Sequence, residues 1–115
     1  MQPELSNRLL EFSINTIKLL RKIANTEEYK IIKHQLIKSS TSSGANYEEA
    51  QGGSSRADFR NKVFISLKEM RESNYWLKVL KGINNKPELN SEIVELVNET
   101  QELKNILGSI ASKLK

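Results

Sequence analysis

The chain has 115 residues, 37% of them hydrophobic and 28% charged, which fits one domain with a single core and excludes two. It holds no cysteine, so disulfides and thiolate metal sites are excluded, as suits a cytoplasmic protein. A net charge of +4 and a pI near 9.4 lean towards polyanionic partners, and charge of this kind bears on association, not on fold.

The opening "MQPELSNRLLEF" has no basic n-region and no unbroken apolar segment, so neither a secretory signal nor a membrane anchor is expected there. Instead the pattern predicts a first helix over about 3–24, with Pro3 suited to its first turn. Its apolar stripe is Leu5, Leu9, Phe12, Leu19 and Ile23, broadened by Leu10, Ile17 and Leu20. In "ANTEE", Asn25 or Thr26 can cap a second helix, and Glu27 and Glu28 complement the positive end of its dipole.

The second helix poses the main question. The heptad from Tyr29, Ile32 and Leu36 continues onto Ser39, Ser43, Asn46 and Ala50 without a slip, straight through "SSTSSGANYEEAQGG". A cluster of serine, threonine and glycine is ordinarily a loop signal. The kept phase predicts a helix over about 27–51 instead, stopped by Gly52 and Gly53. Gly44 costs such a helix about 1 kcal/mol relative to alanine, and each serine or threonine a few tenths. Close packing offsets that cost. Small residues on the heptad track and on its neighbour (Ile37, Ser40, Gly44, Tyr47) let two other backbones approach: one a helix of the same bundle, the other a candidate second subunit.

A third helix over about 55–82 begins at the capping box "SRAD", with Ser55 followed by Asp58, and ends at Gly82. Its core stripe is Phe59, Val63, Met70, Leu77 and Leu80. Two further stripes flank it: Ile65, Glu69, Glu72 and Trp76 on one side, Arg60, Phe64, Lys68, Arg71, Tyr75 and Lys78 on the other. After "GINNKPE", a turn by composition, the fourth helix over about 88–114 carries the seam Leu89, Ile93, Leu96, Thr100, Leu103, Leu107, Ile110 and Leu114. The fold expected is all-α, an up-and-down four-helix bundle in one domain. A helix with large apolar residues on three sides points further, to a homo-oligomer of closed symmetry.

The segment "SSTSSGANYEEAQGGSSRADFRNKVFISLKEMRESNYWLKVL", Ser39 to Leu80, resembles the core signature of four-helix-bundle proteins encoded in intervening sequences of bacterial 23S ribosomal RNA genes. The tail "ELKNILGSIASKLK" is similar to the same family's last helix. The resemblance implies a bundle that assembles into a ring, typically a homopentamer. A related branch, the accessory variability proteins of diversity-generating retroelements, forms a basic pentameric barrel that binds nucleic acid and works with a reverse transcriptase. No catalytic residues come with the resemblance. The matching positions are Ser40, Asn46, Tyr47, Glu48, Glu49 and Ala50, then Arg56, Asp58 and Phe59, then Glu69, Glu72, Trp76 and Leu77, all read as packing or subunit contacts. Ser43, Gly53 and Met70 depart from the family's usual residues. With the spacing argument, the packing and oligomer contacts expected are Ser40, Ser43, Gly44, Asn46, Tyr47, Glu49, Ile65, Glu69, Glu72 and Trp76.

Catalysis is not expected. His34 is the single histidine, so no His-based metal pair can form, and no arginine closely precedes it as in some helical ribonucleases. Glu48, Glu49, Glu69 and Glu72 lack the Glu-x-x-His motifs of a di-metal bundle and read as ion pairs or hydrogen bonds that fix register. No phosphate loop or nucleophile elbow is present, and no cofactor or metal is implied. Trp76 and Tyr75 read as packing residues, not a small-molecule pocket.

The remaining signal is basic. Arg60, Lys68, Arg71 and Lys78 interleave with Phe64 and Tyr75, the pattern in which cations neutralise phosphate and aromatics stack on bases. Lys18, Arg21, Lys22, Lys30, Lys33 and Lys38 add cations on the first two helices, whereas the fourth is acidic through Glu88, Glu92, Glu95, Glu99 and Glu102. A solvated charged face with its aromatics in a subunit interface is the plainer explanation of the same residues. Two functions therefore fit the sequence. One is an oligomeric RNA-binding or ribonucleoprotein accessory factor, and the other is a protein-interaction scaffold.

Overall fold

The computed structural model describes residues 3–52 and 55–115. Its helices are α1 (Pro3–Leu20), α2 (Glu27–Gln51), α3 (Arg56–Ile83) and α4 (Asn90–Ser112), with a short 3-10 turn, Pro87–Leu89, leading into α4. They run up and down in a bundle of 46 × 22 × 21 Å. Each helix packs on its sequence neighbours, and α4 closes the bundle against α1. The α2–α3 contact is the most extensive of these and the α1–α4 contact the least.

The caps follow the sequence at the starts of α2 and α3. Thr26 accepts from the Tyr29 backbone N–H at 3.3 Å, and Ser55 from the Asp58 N–H at 3.0 Å. The ends differ from expectation. α1 stops at Leu20 and unwinds through a turn to Ile23, where Lys33 of α2 reaches over to donate to the Ile23 carbonyl and, at 2.9 Å, to Asn25 Oδ1. A cation from the next helix thus satisfies one of the carbonyls that a helix end leaves without an intrahelical partner. Gly82 does not end α3, which runs on to Ile83 and is capped by Asn84. Asn84 is held in an extended conformation while its amide donates to the Lys86 carbonyl and to Asn90 Oδ1. Gly52 follows α2 at φ −93°, so no left-handed glycine is used there, and Gly53 lies outside the described residues.

"SSTSSGANYEEAQ" is helix throughout. Both of its small-residue tracks are filled by helices of the same chain. On the first, Ser39 shares a hydrogen bond of 2.8 Å with Ser73 of α3. Ser43 Oγ donates to the Ser66 carbonyl at 2.8 Å while Ser66 Oγ donates to the Ser43 carbonyl at 2.7 Å. A serine hydroxyl is short, so it reaches a carbonyl of the facing helix only if the two backbones are close. On the second track Ser13 of α1 donates to the Ser40 carbonyl at 2.9 Å, and a Cβ built at Gly44 would stand 3.4 Å from that of Leu9. Each bond is worth about 1 kcal/mol net, enough to offset the helix-propensity cost of the residue that makes it.

The core itself is apolar, with Leu9, Phe12, Leu36, Tyr47, Met70, Leu77, Leu103 and Leu107 among its most buried side chains. Two placements correct the heptad reading of α2 and α1. Tyr47, not Asn46, enters the core; Asn46 is half-buried and donates at 2.9 Å to the Ser42 carbonyl one turn back. A straight helix drifts about 20° per heptad against a strict seven-residue repeat, which turns Asn46 off the core and Tyr47 towards it while Ser43 and Ala50 stay buried. Leu10 is 57% exposed, whereas Thr16, which the apolar stripe skipped, is fully buried.

Candidate nucleic-acid interface

The expected basic residues fall into two groups with opposite surroundings. Lys18, Arg21 and Lys22 line a groove of about 720 Å³ between α1 and α4, and Glu92, Glu95 and Glu99 form its other wall. Lys22 Nζ pairs with Glu92 at 2.9 Å. Nearby, Arg8 pairs with Glu99 at 2.7 Å and with Glu102 at 3.0 Å. Glu99's hydrogen bond, with a smaller contribution from Glu102, holds the guanidinium further above its already high ordinary pKa, so Arg8 stays charged throughout. Lys33 is occupied at the α1 end, as described above. Arg8 and Lys22 are thus paired with carboxylates and Lys18 and Arg21 face them, so the net positive face is smaller than the sequence implied. Lys30 and Lys38 are exposed on α2.

Arg60, Lys68, Arg71 and Lys78 are all exposed on the outer face of α3. Among the described residues none of them makes an ion pair. With Phe64 and Tyr75 between them, steps of three and four residues keep them on one side of the helix over about 27 Å, at 1.5 Å of rise per residue. Of the acidic residues of α3, Glu69 and Glu72 lie half-buried on the opposite flank, and Asp58 is exposed in the first turn. Arg60 sits 5.8 Å from the centroid of the half-buried Phe64 ring, within cation–π range. Tyr75 is 60% exposed, and its ring meets Trp76 edge to face at 5.2 Å between centroids and 76° between planes. At the far end, Phe64 and Arg71 share a shallow notch with Gly108, Ser112 and Lys115 of α4 and its C-terminal turn, which extends the basic face onto a second helix. Lys115 was not among the expected basic residues, and nothing in the local sequence pattern singled it out.

The expected packing and oligomer contacts also divide. Ser40, Ser43 and Tyr47 are buried inside the chain's own bundle, and Gly44 faces Leu9 of α1, so these are packing residues within one subunit. Glu49 is exposed and lies 3.6 Å from Lys62. Ile65 (38% exposed) and the half-buried Glu69, Glu72 and Trp76 share an outer face of α3, where Trp76 Nε1 donates to Glu72 at a long 3.4 Å. Ser66 and Ser73 belong with the serine contacts although the apolar stripe passed over them. They fill the gaps in the stepping Val63, Ser66, Met70, Ser73, Leu77, a pattern already present in the sequence. A separate apolar groove of about 370 Å³ lies between α1 and α2, lined by Leu10, Ser13, Thr41, Gly44 and Ala45. His34 is exposed, and no group of carboxylates or histidines among the described residues is arranged to hold a metal. No helix among them is long and apolar enough to cross a membrane.

The chain is similar to a protein of unknown function from the S23 ribosomal protein family of Bacteroides thetaiotaomicron, known from its crystal structure. The two are 33% identical, with a TM-score of 0.82 over 93% of this chain and 97% of that one. No curated protein matches. Residues 3–109 match the 23S rRNA-intervening sequence proteins, nearly the whole length described above, and the chain belongs to that family.

Proposed function

We propose that this protein is a non-enzymatic, oligomeric RNA-binding accessory protein that lays the outer face of α3 along an RNA backbone. The observation that carries this reading is the set of exposed cations Arg60, Lys68, Arg71 and Lys78, free of acidic partners among the described residues, on one side of a rigid helix. Phosphate binding needs uncommitted charge at fixed spacing, and a long helix supplies it without an ordering cost. Self-association is supported by the exposed apolar residues Leu10, Ile14 and Ile37 on α1 and α2 and by Ile65 on α3. A ring, a pentamer by the resemblance, would multiply a modest basic stripe into an extended surface.

The test is structured-RNA binding at about 50 and about 200 mM salt, with light-scattering mass recorded on the same sample. Three to four phosphate contacts per subunit predict a fall in affinity of roughly 20- to 100-fold across that range. A mass of a single 13.1 kDa chain would refute the oligomer, and no RNA binding at the lower salt would refute the function. The apolar α1–α2 groove favours a second reading, a scaffold for a partner protein, for which binding would barely respond to salt.

A further inference from the structure

Tyr75 stands apart from every other aromatic residue in the described chain. It is the most exposed large apolar side chain at 60%, whereas Phe12 and Tyr47 are buried and Phe64 and Trp76 half-buried. An exposed aromatic is ordinarily loose, but this one is braced. Trp76 meets it edge to face at 5.2 Å, and Trp76 is itself tied to Glu72. Arg71 lies one turn before Tyr75 and Lys78 one turn after, both exposed and on the same side of α3. A braced, open ring between uncommitted cations is the arrangement that holds one unpaired base by stacking while the flanking phosphates are neutralised. Phe64 cannot do the same, because Arg60 already lies over its ring and the rest of it packs against the core.

We infer that Tyr75 is a stacking platform for an unpaired base, so that the ligand of the α3 face is RNA with a single-stranded loop or bulge and not a continuous duplex. This rests on the RNA-binding reading above and adds the class of RNA to it. A continuous duplex keeps its bases stacked inside, and A-form geometry offers α3 only phosphates and 2′-hydroxyls. In that case Tyr75 would contribute nothing.

The experiment compares a hairpin RNA carrying an unpaired loop with a blunt duplex of the same total charge, at fixed low salt, for the unaltered chain, Tyr75→Ala, Tyr75→Phe and Arg71→Glu/Lys78→Glu. Trp76 is the chain's single tryptophan and reports directly, since a base stacked on the adjoining ring should quench its fluorescence. The expected result is tighter binding of the hairpin with quenching, a loss of about 10- to 100-fold in Tyr75→Ala, and retention in Tyr75→Phe. Duplex binding should change less than about twofold in Tyr75→Ala. Equal binding of hairpin and duplex, or an unaffected Tyr75→Ala, would overturn the inference. If Arg71→Glu/Lys78→Glu still abolishes binding in that case, the RNA-binding reading survives without it. A change of mass in Tyr75→Ala would place the ring in a subunit contact and also overturn it. Failure of the unaltered chain to bind either RNA would remove both.

Discussion

Lys18, Arg21 and Lys22 on α1 and its C-terminal turn and Arg60, Lys68, Arg71 and Lys78 on α3 look alike in the sequence, yet they end in opposite electrostatic surroundings. The first set faces a wall of glutamates across the α1–α4 groove, where Lys22 is paired outright and the neighbouring Arg8 binds both Glu99 and Glu102. The α3 set is exposed and forms no ion pair among the described residues. A phosphate approaching α1 must displace or tolerate nearby carboxylates; one approaching α3 meets far less of that repulsion. Net charge therefore overstates the usable basic surface, and the position of the acidic helix decides where that surface lies.

The largest effect should come from reversing the α3 charges. Arg60→Glu/Arg71→Glu/Lys78→Glu is expected to weaken RNA binding more than about 100-fold at low salt, whereas Lys18→Glu/Arg21→Glu/Lys22→Glu should change it only a few-fold. Filter binding on both variants, with light-scattering mass as a control, decides the matter. Equal losses would show that both faces touch RNA, and a dissolved oligomer would make the α3 cations structural.

The comparison can also be sharpened from its acidic side. Neutralising the wall with Glu92→Gln/Glu95→Gln should release the α1 cations and raise affinity for RNA by about 3- to 10-fold, with a steeper salt dependence. An unchanged salt slope would mean that the groove is out of reach of the ligand. The smallest effect is on stability. Arg8→Ala removes the bonds to Glu99 and Glu102 across the least extensive helix contact and should cost about 1 kcal/mol in urea unfolding, less at high salt. A loss above about 3 kcal/mol would show that this clamp, and not the apolar core, holds α1 in place.

Much of the fold is legible in the amino-acid sequence. The phase of the apolar residues carries through Ser39, Ser43 and Ala50 and identifies a helix where composition alone suggests a loop, because periodicity reports the face that must be buried whatever the size of its residues. Thr26 and Ser55 announce their helices because a cap is a local hydrogen bond within a few residues. Local signals are weaker at helix ends. Gly82 looks like a stop, but α3 runs past it to the cap at Asn84, and α1 ends early with Lys33 from α2 bonded to the Ile23 carbonyl beyond it. The candidate interface is legible as a stripe of cations and aromatics on α3, but the sequence does not set it apart from the cations of α1 and α2. Helical spacing does not say which of them will meet a carboxylate.

The sequence by itself determined that there are helices, where they start, which faces are apolar, and that the middle of α2 must lie close to something. Only the tertiary structure decided what that something is: Ser66 and Ser73 of α3 on one side, Leu9 and Ser13 of α1 on the other, all within one chain. It likewise decided that Lys22 meets Glu92 while Arg71 and Lys78 form no ion pair among the described residues. The physical reason is the same in both cases. Helical spacing fixes which residues share a face, but the charge, closeness and exposure of that face depend on which helix is packed beside it, and that neighbour can lie tens of residues away along the chain.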